Sequence, residues 1–209
     1  INSGGYPSNA GVGGDVDFTN RGKIQTAGAQ SSAVIVQSVG GTGGNGANGA
    51  FTSGTPGGNG GAGGKVDVTN TGAIAAKGEY SFGVVAQSVG GVGGSGGGAA
   101  FVSGGDGGGA GLGGDVTVKN MGRDSSIQTS GAGGSAIVAQ SIGGGNALDA
   151  FHASRPAISG SGGSGGRSGI LPYTSGGAGG LGGVGGKVKV ENEGNIETFG
   201  DSAFGVIAQ

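Results

Sequence analysis

The sequence contains no cysteine, one histidine and only four prolines among its 209 residues. Without cysteine there are no disulfides and no thiolate metal sites, and the absence suits a chain that is exported unfolded. Scarce proline and paired glycines disfavour a collagen triple helix, which needs glycine at every third position together with abundant proline. A net charge of −2 offers no basic surface for nucleic acid. No apolar run reaches the length of a transmembrane helix.

Glycine is the residue that the chain has in excess, at 62 of 209 positions. Compositional disorder is disfavoured, because a third of the residues are hydrophobic and the net charge is near zero. The composition is also unlike that of an ordinary compact enzyme. Since the sequence begins at Ile1 without a methionine or a signal-peptide pattern, we interpret it as an excised or mature segment.

The chain is a repeat array. Three Asn-x-Gly motifs are spaced by 50 residues and a fourth lies 72 residues further on, at Asn20, Asn70, Asn120 and Asn192. Three phenylalanines in the glycine tracts share the spacing of 50, namely Phe51, Phe101 and Phe151. We therefore interpret the extra length of the last unit as an insertion after Phe151 that includes "SRPAISGSGGSGGRSGILPY", residues 154–173.

One half of each unit has the pattern of three short strands. The first strand alternates apolar and polar residues, as in "VDFTN" and "VDVTN", which is typical of a strand with one face in a core. Asn-x-Gly then makes a corner, and a second strand carries one inward isoleucine. The third strand, as in "AVIVQSV" and "GVVAQSV", is apolar on both faces, so both faces are expected to be covered.

Three strands and two corners in about 24 residues predict one coil of a parallel β-helix, in which equivalent residues of successive units stack at about 4.8 Å. We predict an all-β fold, a single solenoid over residues 1–209 with one coil per 50-residue repeat, right-handed by default. The predicted coils are 15–39, 65–89, 115–142 and 187–209. An antiparallel β-sandwich is the alternative, but it has no need of identical units.

Stacking predicts ladders of identical side chains. Asparagines at the first corner and glutamines of the third strand would each bond the next copy: Asn20, Asn70, Asn120 and Asn192, and Gln37, Gln87, Gln140 and Gln209. The asparagines could alternatively act only as turn formers. Asp15, Lys65, Asp115 and Lys187 would place opposite charges on adjacent coils.

The glycine tracts, at about 1–14, 40–64, 90–114 and 143–186, have a three-residue rhythm such as GGT-GGN-GAN. This rhythm suits polyproline II helices, which have three residues per turn. We predict that each tract runs out, turns near its phenylalanine and runs back, and that the arms stack beside the coils and cover the outer face of the third strand. Flexible linkers are the alternative.

No motif indicates catalysis, a cofactor or a metal. His152 stands alone, and "GLGGDVTV" fails to match a calcium-binding repeat because the residues equivalent to Asp115 include lysines. The glycine tracts lack the lysine of a P-loop. Asp17 and Asp67 would form a carboxylate pair across coils, but on a solvated face. We therefore expect a protein that is not an enzyme and has no cofactor.

The repeated "SSAVIVQSVGGTGG", "SFGVVAQSVGGVGG" and "GSAIVAQSIGGG", together with V-x-V-x-N-x-G, resemble the glycine-rich repeats of large autotransporter-type surface proteins of Gram-negative bacteria. The resemblance covers essentially the whole chain. It implies a secreted β-helix passenger, usually carried by a separate outer-membrane β-barrel and often serving in adhesion or aggregation.

These observations lead us to expect a non-catalytic structural or adhesive stalk at the bacterial cell surface. Its partner would be a cell-surface or matrix component, or other copies of itself. The expected contact residues are those of the tract tips and the insertion: Phe51, Phe101, Phe151, His152, Arg155, Arg167 and Tyr173. A self-assembling filament or surface-layer subunit is the first alternative, and an ice-binding protein the second.

Overall fold

A computed structural model describes residues 7–144, 162–168 and 174–209. These residues form twelve short β-strands and no helix. The strands are β1 (Val16–Asn20), β2 (Lys23–Thr26), β3 (Val34–Val39), β4 (Val66–Asn70), β5 (Ala73–Ala76), β6 (Val84–Val89), β7 (Val116–Asn120), β8 (Ser126–Thr129), β9 (Ile137–Ile142), β10 (Val188–Asn192), β11 (Asn195–Thr198) and β12 (Val206–Ala208).

The strands build three parallel sheets of four, one strand from each unit. The first sheet has the order β1-β4-β7-β10, the second β2-β5-β8-β11 and the third β3-β6-β9-β12. Every pairing is parallel and in register with the sequence repeat, so that Val16 pairs with Val66 and Asn20 with Asn70. The predicted parallel β-helix, with one coil per unit, is confirmed.

The core of the solenoid is a stack of like residues. Alternation within each strand directs one face inward, and the inward valines, isoleucines and alanines of the middle coils are almost completely buried. Ile74 and Ile127, for example, pair in register on β5 and β8 and are each 1% exposed. Burying a side chain of this size contributes about 1.5 to 3 kcal/mol. A single coil encloses too little apolar surface, and its neighbours provide the rest.

The two corners of each coil use different chemistry. At the first corner, the Asn20 side chain accepts a hydrogen bond from Gly22 N and donates one to Gly22 O. At the second corner, the left-handed backbone position is occupied by non-glycine residues in three coils, with φ of 55° at Gln30 and 53° at Tyr80. In the third coil it is Gly133, at φ 68°. A glycine lies two residues ahead of that position, at Gly78 in the second coil, where a side chain would collide with the carbonyl of Gly28.

The glycine tracts form an ordered two-layered slab. We name the segments leading away from the coils outward arms (40–49, 90–99 and 162–168) and those leading back returning arms (7–14, 54–63, 104–113 and 174–186). Outward arms stack on one another in one layer and returning arms in the other. The predicted stacked arms are therefore present.

Backbone hydrogen bonds follow a strict period of three residues. Within the outward layer, Gly43 N donates to Val92 O and Gly46 N to Ser95 O. Between the layers, Gly58 N donates to Gly44 O and Gly61 N to Gly41 O. In each turn of three residues, one amide donates to the next arm of the same layer and one to an arm of the other layer. A helix with three residues per turn keeps these donors in two fixed directions along its length. These bonds offset the high entropic cost of ordering glycine, about 1 to 2 kcal/mol per residue.

In the inner arms, the glycines at two of the three positions of a triplet have no room for a side chain. A Cβ at Gly43 would lie under 3.0 Å from the carbonyl of Gly58 in the other layer, and one at Gly94 equally close to Gly44 in the arm of the preceding unit. The third position faces solvent and carries side chains such as Asn45. The G-G-x rhythm therefore reflects close approach of backbones and not flexibility.

The extra residues of the last unit do not lie where the sequence suggested. Gln87 and Gln140 are 53 positions apart, whereas Ser95 and Ser164, on neighbouring outward arms, are 69 apart. Sixteen residues (69 − 53) are therefore added ahead of the third outward arm. The placement of the insertion after Phe151 was wrong, because residues 162–168, which we counted in it, form an arm. Phe151 itself lies outside the described residues.

The third sheet is joined to the slab through serine side chains on its inward face. Its outer face is buried in the middle strands, where Phe82 packs with Val85 and Val138. The side-chain hydrogen bonds that join this sheet to the arms come from inward-facing serines such as Ser88, and backbone bonds such as that from Gly40 N to Val89 O add to them. The slab is therefore fastened to the rim of the coil by these serines, and its role as the cover of the outer face stays a prediction.

Candidate functional site

The asparagine ladder runs through all four coils at the end of the first strand. Asn20 Nδ2 donates to Asn70 Oδ1 at 2.8 Å, Asn70 to Asn120 at 2.8 Å and Asn120 to Asn192 at 2.7 Å. Each amide also bonds the backbone two residues ahead, as with Asn70 Nδ2 and Gly72 O at 3.0 Å. The asparagines are both turn formers and ladder members, so the two readings of the sequence are compatible.

The glutamine ladder lies on the outer face of the third sheet. Gln37 Nε2 donates to Gln87 Oε1, Gln87 to Gln140 at 2.8 Å and Gln140 to Gln209 at 3.2 Å. Gln87 is completely buried. All donors of a ladder point the same way, an arrangement in which successive amides polarise one another. Both ladders fix the register of the coils, since a shift of one residue would leave buried amides without partners.

A third ladder, which sequence reasoning missed, fastens the slab to the coils. The Ser88 hydroxyl donates to Gly64 O at 2.7 Å and accepts from Gly114 N at 2.8 Å. Ser38 and Ser141 make the equivalent pairs of bonds to their own neighbouring arms. The signal was present in the sequence, because serine follows glutamine in each of the three complete third strands.

The charged residues of the first strand do not pair as predicted. The Asp15 carboxylate accepts a hydrogen bond from the backbone N of Lys65, not from its ammonium group. The Lys65 ammonium instead pairs with Asp67 on its own strand. That hydrogen bond holds the pKa of Asp67 below its ordinary value. Asp67 lies beside Asp17 in the register of the sheet, but its partner makes it a surface ion pair and not one half of a carboxylate dyad.

The predicted contact tips are only partly within the described residues. Phe51 and Phe101 lie where the outward arms turn, and their rings stack with centroids 5.0 Å apart and planes inclined by 10°. Phe51 is 81% exposed and Phe101 39% exposed. Arg167 ends an outward arm beside them and is exposed. Phe151, His152, Arg155 and Tyr173 lie outside the described residues.

The described residues contain neither a metal-ligand cluster nor a membrane-spanning helix. In that part of the chain, no cluster of three or more His, Asp or Glu side chains is arranged to hold a metal ion. Likewise, the described ranges contain no helix of the length and hydropathy that crossing a membrane requires.

Comparison with known proteins assigns no family. No family model matches the chain, and no curated protein matches it. One solved structure aligns with most of this chain. It is the nine-helix polyproline type II bundle of a springtail antifreeze protein from Granisotoma rainieri, whose crystal waters match the ice lattice. It is 24% identical over 86% of this chain and 87% of that one, with a TM-score of 0.16. A TM-score this low supports no conclusion about this chain.

Proposed function

We propose that this chain is a non-catalytic structural and adhesive stalk of a bacterial surface protein, located outside the cell, whose arm tips make the contacts. Stacked coils support this role, because each coil lies on the next without change of register and the rod can be of any length. The slab broadens the rod, since an arm of nine or ten residues extends roughly 28 to 31 Å from the coil.

The observation that carries the proposal is the exposed phenylalanine stack at the arm tips. Phe51 contributes nothing to the coil core, and its ring is mostly in water. Large exposed aromatic surface is characteristic of interaction sites, where aromatic residues often contribute most of the binding energy. The stack holds both rings in one orientation before binding, which lowers the entropic cost of contact.

Adhesion of purified protein to bacterial and host-cell surfaces, and its self-aggregation, test the proposal. The double change Phe51→Ser and Phe101→Ser is expected to reduce adhesion or aggregation at least severalfold while the circular dichroism spectrum stays unchanged. Phe199→Ser is a matched control, because Phe199 is 66% exposed on the coil and away from the tips. Equal adhesion of the tip variant and the wild-type protein would refute the adhesive role.

Self-assembly into filaments is the second candidate. Among the described residues, the outermost strands β1 and β10 have a sheet partner on one side only. Unpaired strand edges readily add further strands. Electron microscopy over a range of concentrations separates the two functions. Filaments that appear at high concentration and persist in the tip variant would favour assembly over adhesion.

A further inference from the structure

The second sheet has a recess on its outer face that no ladder fills. The outward residues of β5 are Ala73 and Ala75, whereas the strands on either side carry long polar side chains. The resulting groove has a volume of about 410 Å³. Its lining includes Lys23, Gln25, Lys77, Ser126, Gln128 and Glu197. A volume of this order is typical of small-molecule sites.

Alanine at position 75 interrupts what would otherwise be another amide ladder. Gln25, Ala75 and Gln128 occupy the same register on adjacent strands, as Gln37, Gln87 and Gln140 do on the third sheet. Gln25 makes no hydrogen bond to the residues that the structure describes, and it is exposed. The wall of the groove that β2 forms therefore offers a free amide donor and acceptor.

The opposite wall, formed by β8 and β11, is held in place by its own hydrogen bonds. Gln128 Nε2 donates to Glu197 Oε2 at 3.0 Å, and Asn195 Nδ2 donates to Glu197 Oε1 at 2.8 Å. Both carboxylate oxygens are thus engaged within the wall, and the Gln128 carbonyl oxygen remains able to accept a bond. Such a pre-organised polar wall binds with less loss of side-chain entropy.

Two lysines stand at opposite ends of the groove. Lys23 pairs in register with Ala73. Lys77 comes directly after β5, four residues beyond Ala73, which is about 13 Å along an extended strand. Both are exposed, and neither lies within ion-pair distance of a carboxylate among the described residues. The groove is therefore cationic at both ends and suits an elongated ligand with more than one negative charge.

We propose that this groove binds an anionic oligosaccharide. The ring C–H groups of a sugar would pack on the methyls of Ala73 and Ala75, its hydroxyls would bond the amides of Gln25 and Gln128, and its carboxylate or sulfate groups would meet Lys23 and Lys77. An acidic peptide is a poorer fit, because β5 is paired on both sides and offers no free strand edge to extend. The site is separate from the arm tips and does not depend on the proposed role of the tips.

NMR titration of the full chain at low salt tests the proposal with four hexameric probes: a heparin-derived hexasaccharide, hexagalacturonate, a neutral hexasaccharide and hexaglutamate. At least one of the two anionic saccharides is expected to shift the methyl resonances of Ala73 and Ala75 and to bind at least tenfold more tightly than the neutral sugar and the peptide. Failure of both anionic saccharides to bind, or equal binding of hexaglutamate, overturns the proposal.

Variants locate the binding. Ala75→Gln fills the groove and completes the amide ladder, so it should fold at least as stably as the wild-type protein and lose at least tenfold in affinity. Lys23→Gln and Lys77→Gln should each weaken binding about two- to fivefold, as exposed ion pairs do. Lys187→Gln removes the same charge from a different sheet and should change little. If the groove variants bind like Lys187→Gln, the site is wrong, whereas loss of tip adhesion alone leaves this proposal intact.

Discussion

Adjacent glycines in one arm differ in how much room a side chain would have, as Gly97 and Gly98 show. A Cβ at Gly97 would lie under 3.0 Å from the carbonyl of Ala47 on the preceding outward arm. A Cβ at Gly98 would make only ordinary contacts, at 3.5 Å from Asn48 Oδ1 and 3.8 Å from the backbone of Arg167. Glycine is therefore required at one position and tolerated at the next. The sequence rhythm alone indicates the period but not which positions are crowded.

The pair Gly97→Ala and Gly98→Ala tests this distinction by thermal or denaturant unfolding. Gly97→Ala should destabilise the protein by about 1 to 3 kcal/mol, because the arms must separate to admit the methyl group. Gly98→Ala should be neutral or stabilising by up to about 1 kcal/mol, because alanine restricts the unfolded chain. Equal effects of the two changes would mean that the arms are not packed as described.

The buried asparagine ladder predicts an unusual dependence of stability on pH. Asn70→Asp keeps the shape but replaces a donor that serves Asn120 Oδ1 with a carboxylate oxygen. At neutral pH we expect a loss of about 2 to 4 kcal/mol, since a buried charge then faces a carbonyl oxygen. Burial raises the folded-state pKa of the new carboxyl group above its unfolded value near 3.9.

The penalty should accordingly be complete above that raised pKa and should fade as the pH falls toward 4, where the protonated group again donates. Measuring the stability difference between variant and wild-type protein from pH 7 to pH 4 checks this. Asn192→Asp is the control, because Asn192 is exposed at the end of the ladder. A difference that stayed constant with pH would show that position 70 is solvated.

At the scale of elements, the strands were easier to predict from the sequence than the long glycine tract of the last unit. Alternation in strands such as β4 and β7 specifies both the fold and the inward face, and a repeat of 50 residues specifies the pairing. The third outward arm was missed because its glycines resemble those of the insertion, and composition carries no register. Hydrogen bonds such as those from Gly96 N to Ser164 O and from Ala99 N to Arg167 O reveal it.

The register of the third outward arm predicts that sixteen residues are inserted ahead of it, and a deletion can test this number. Deleting sixteen residues, 145–160, should restore the spacing of the preceding units between β9 and the third outward arm and leave the solenoid folded. Circular dichroism and the unfolding temperature measure the outcome, with deletion of sixteen residues across the second outward arm, 90–105, as a control that should disrupt the slab. A large fall in unfolding temperature on deleting 145–160 would show that these residues are needed by the scaffold.

At the scale of the molecule, coil and slab are one stack with a common repeat. Parallel strands and parallel arms each advance by one unit per layer, and serines such as Ser88 join the two parts at every level. Neither part is expected to be stable alone, because a single coil lacks a closed core and a single glycine helix makes no internal hydrogen bonds. The sequence predicted both parts, but not the serine contacts that join them.

Amide hydrogen exchange across the returning arm 104–113 tests the stacked slab most directly. The structure bonds the amides of Gly104, Gly105, Gly107, Gly108, Ala110, Gly111 and Gly113 to neighbouring arms. Asp106 and Leu112 occupy the third position of their triplets, and their amides have no such bond among the described residues. The account predicts slow exchange at these seven amides and at Gly109, whose amide donates to Asn59 Oδ1, interrupted by fast exchange at Asp106 and Leu112. Uniformly fast exchange through 104–113 would contradict it.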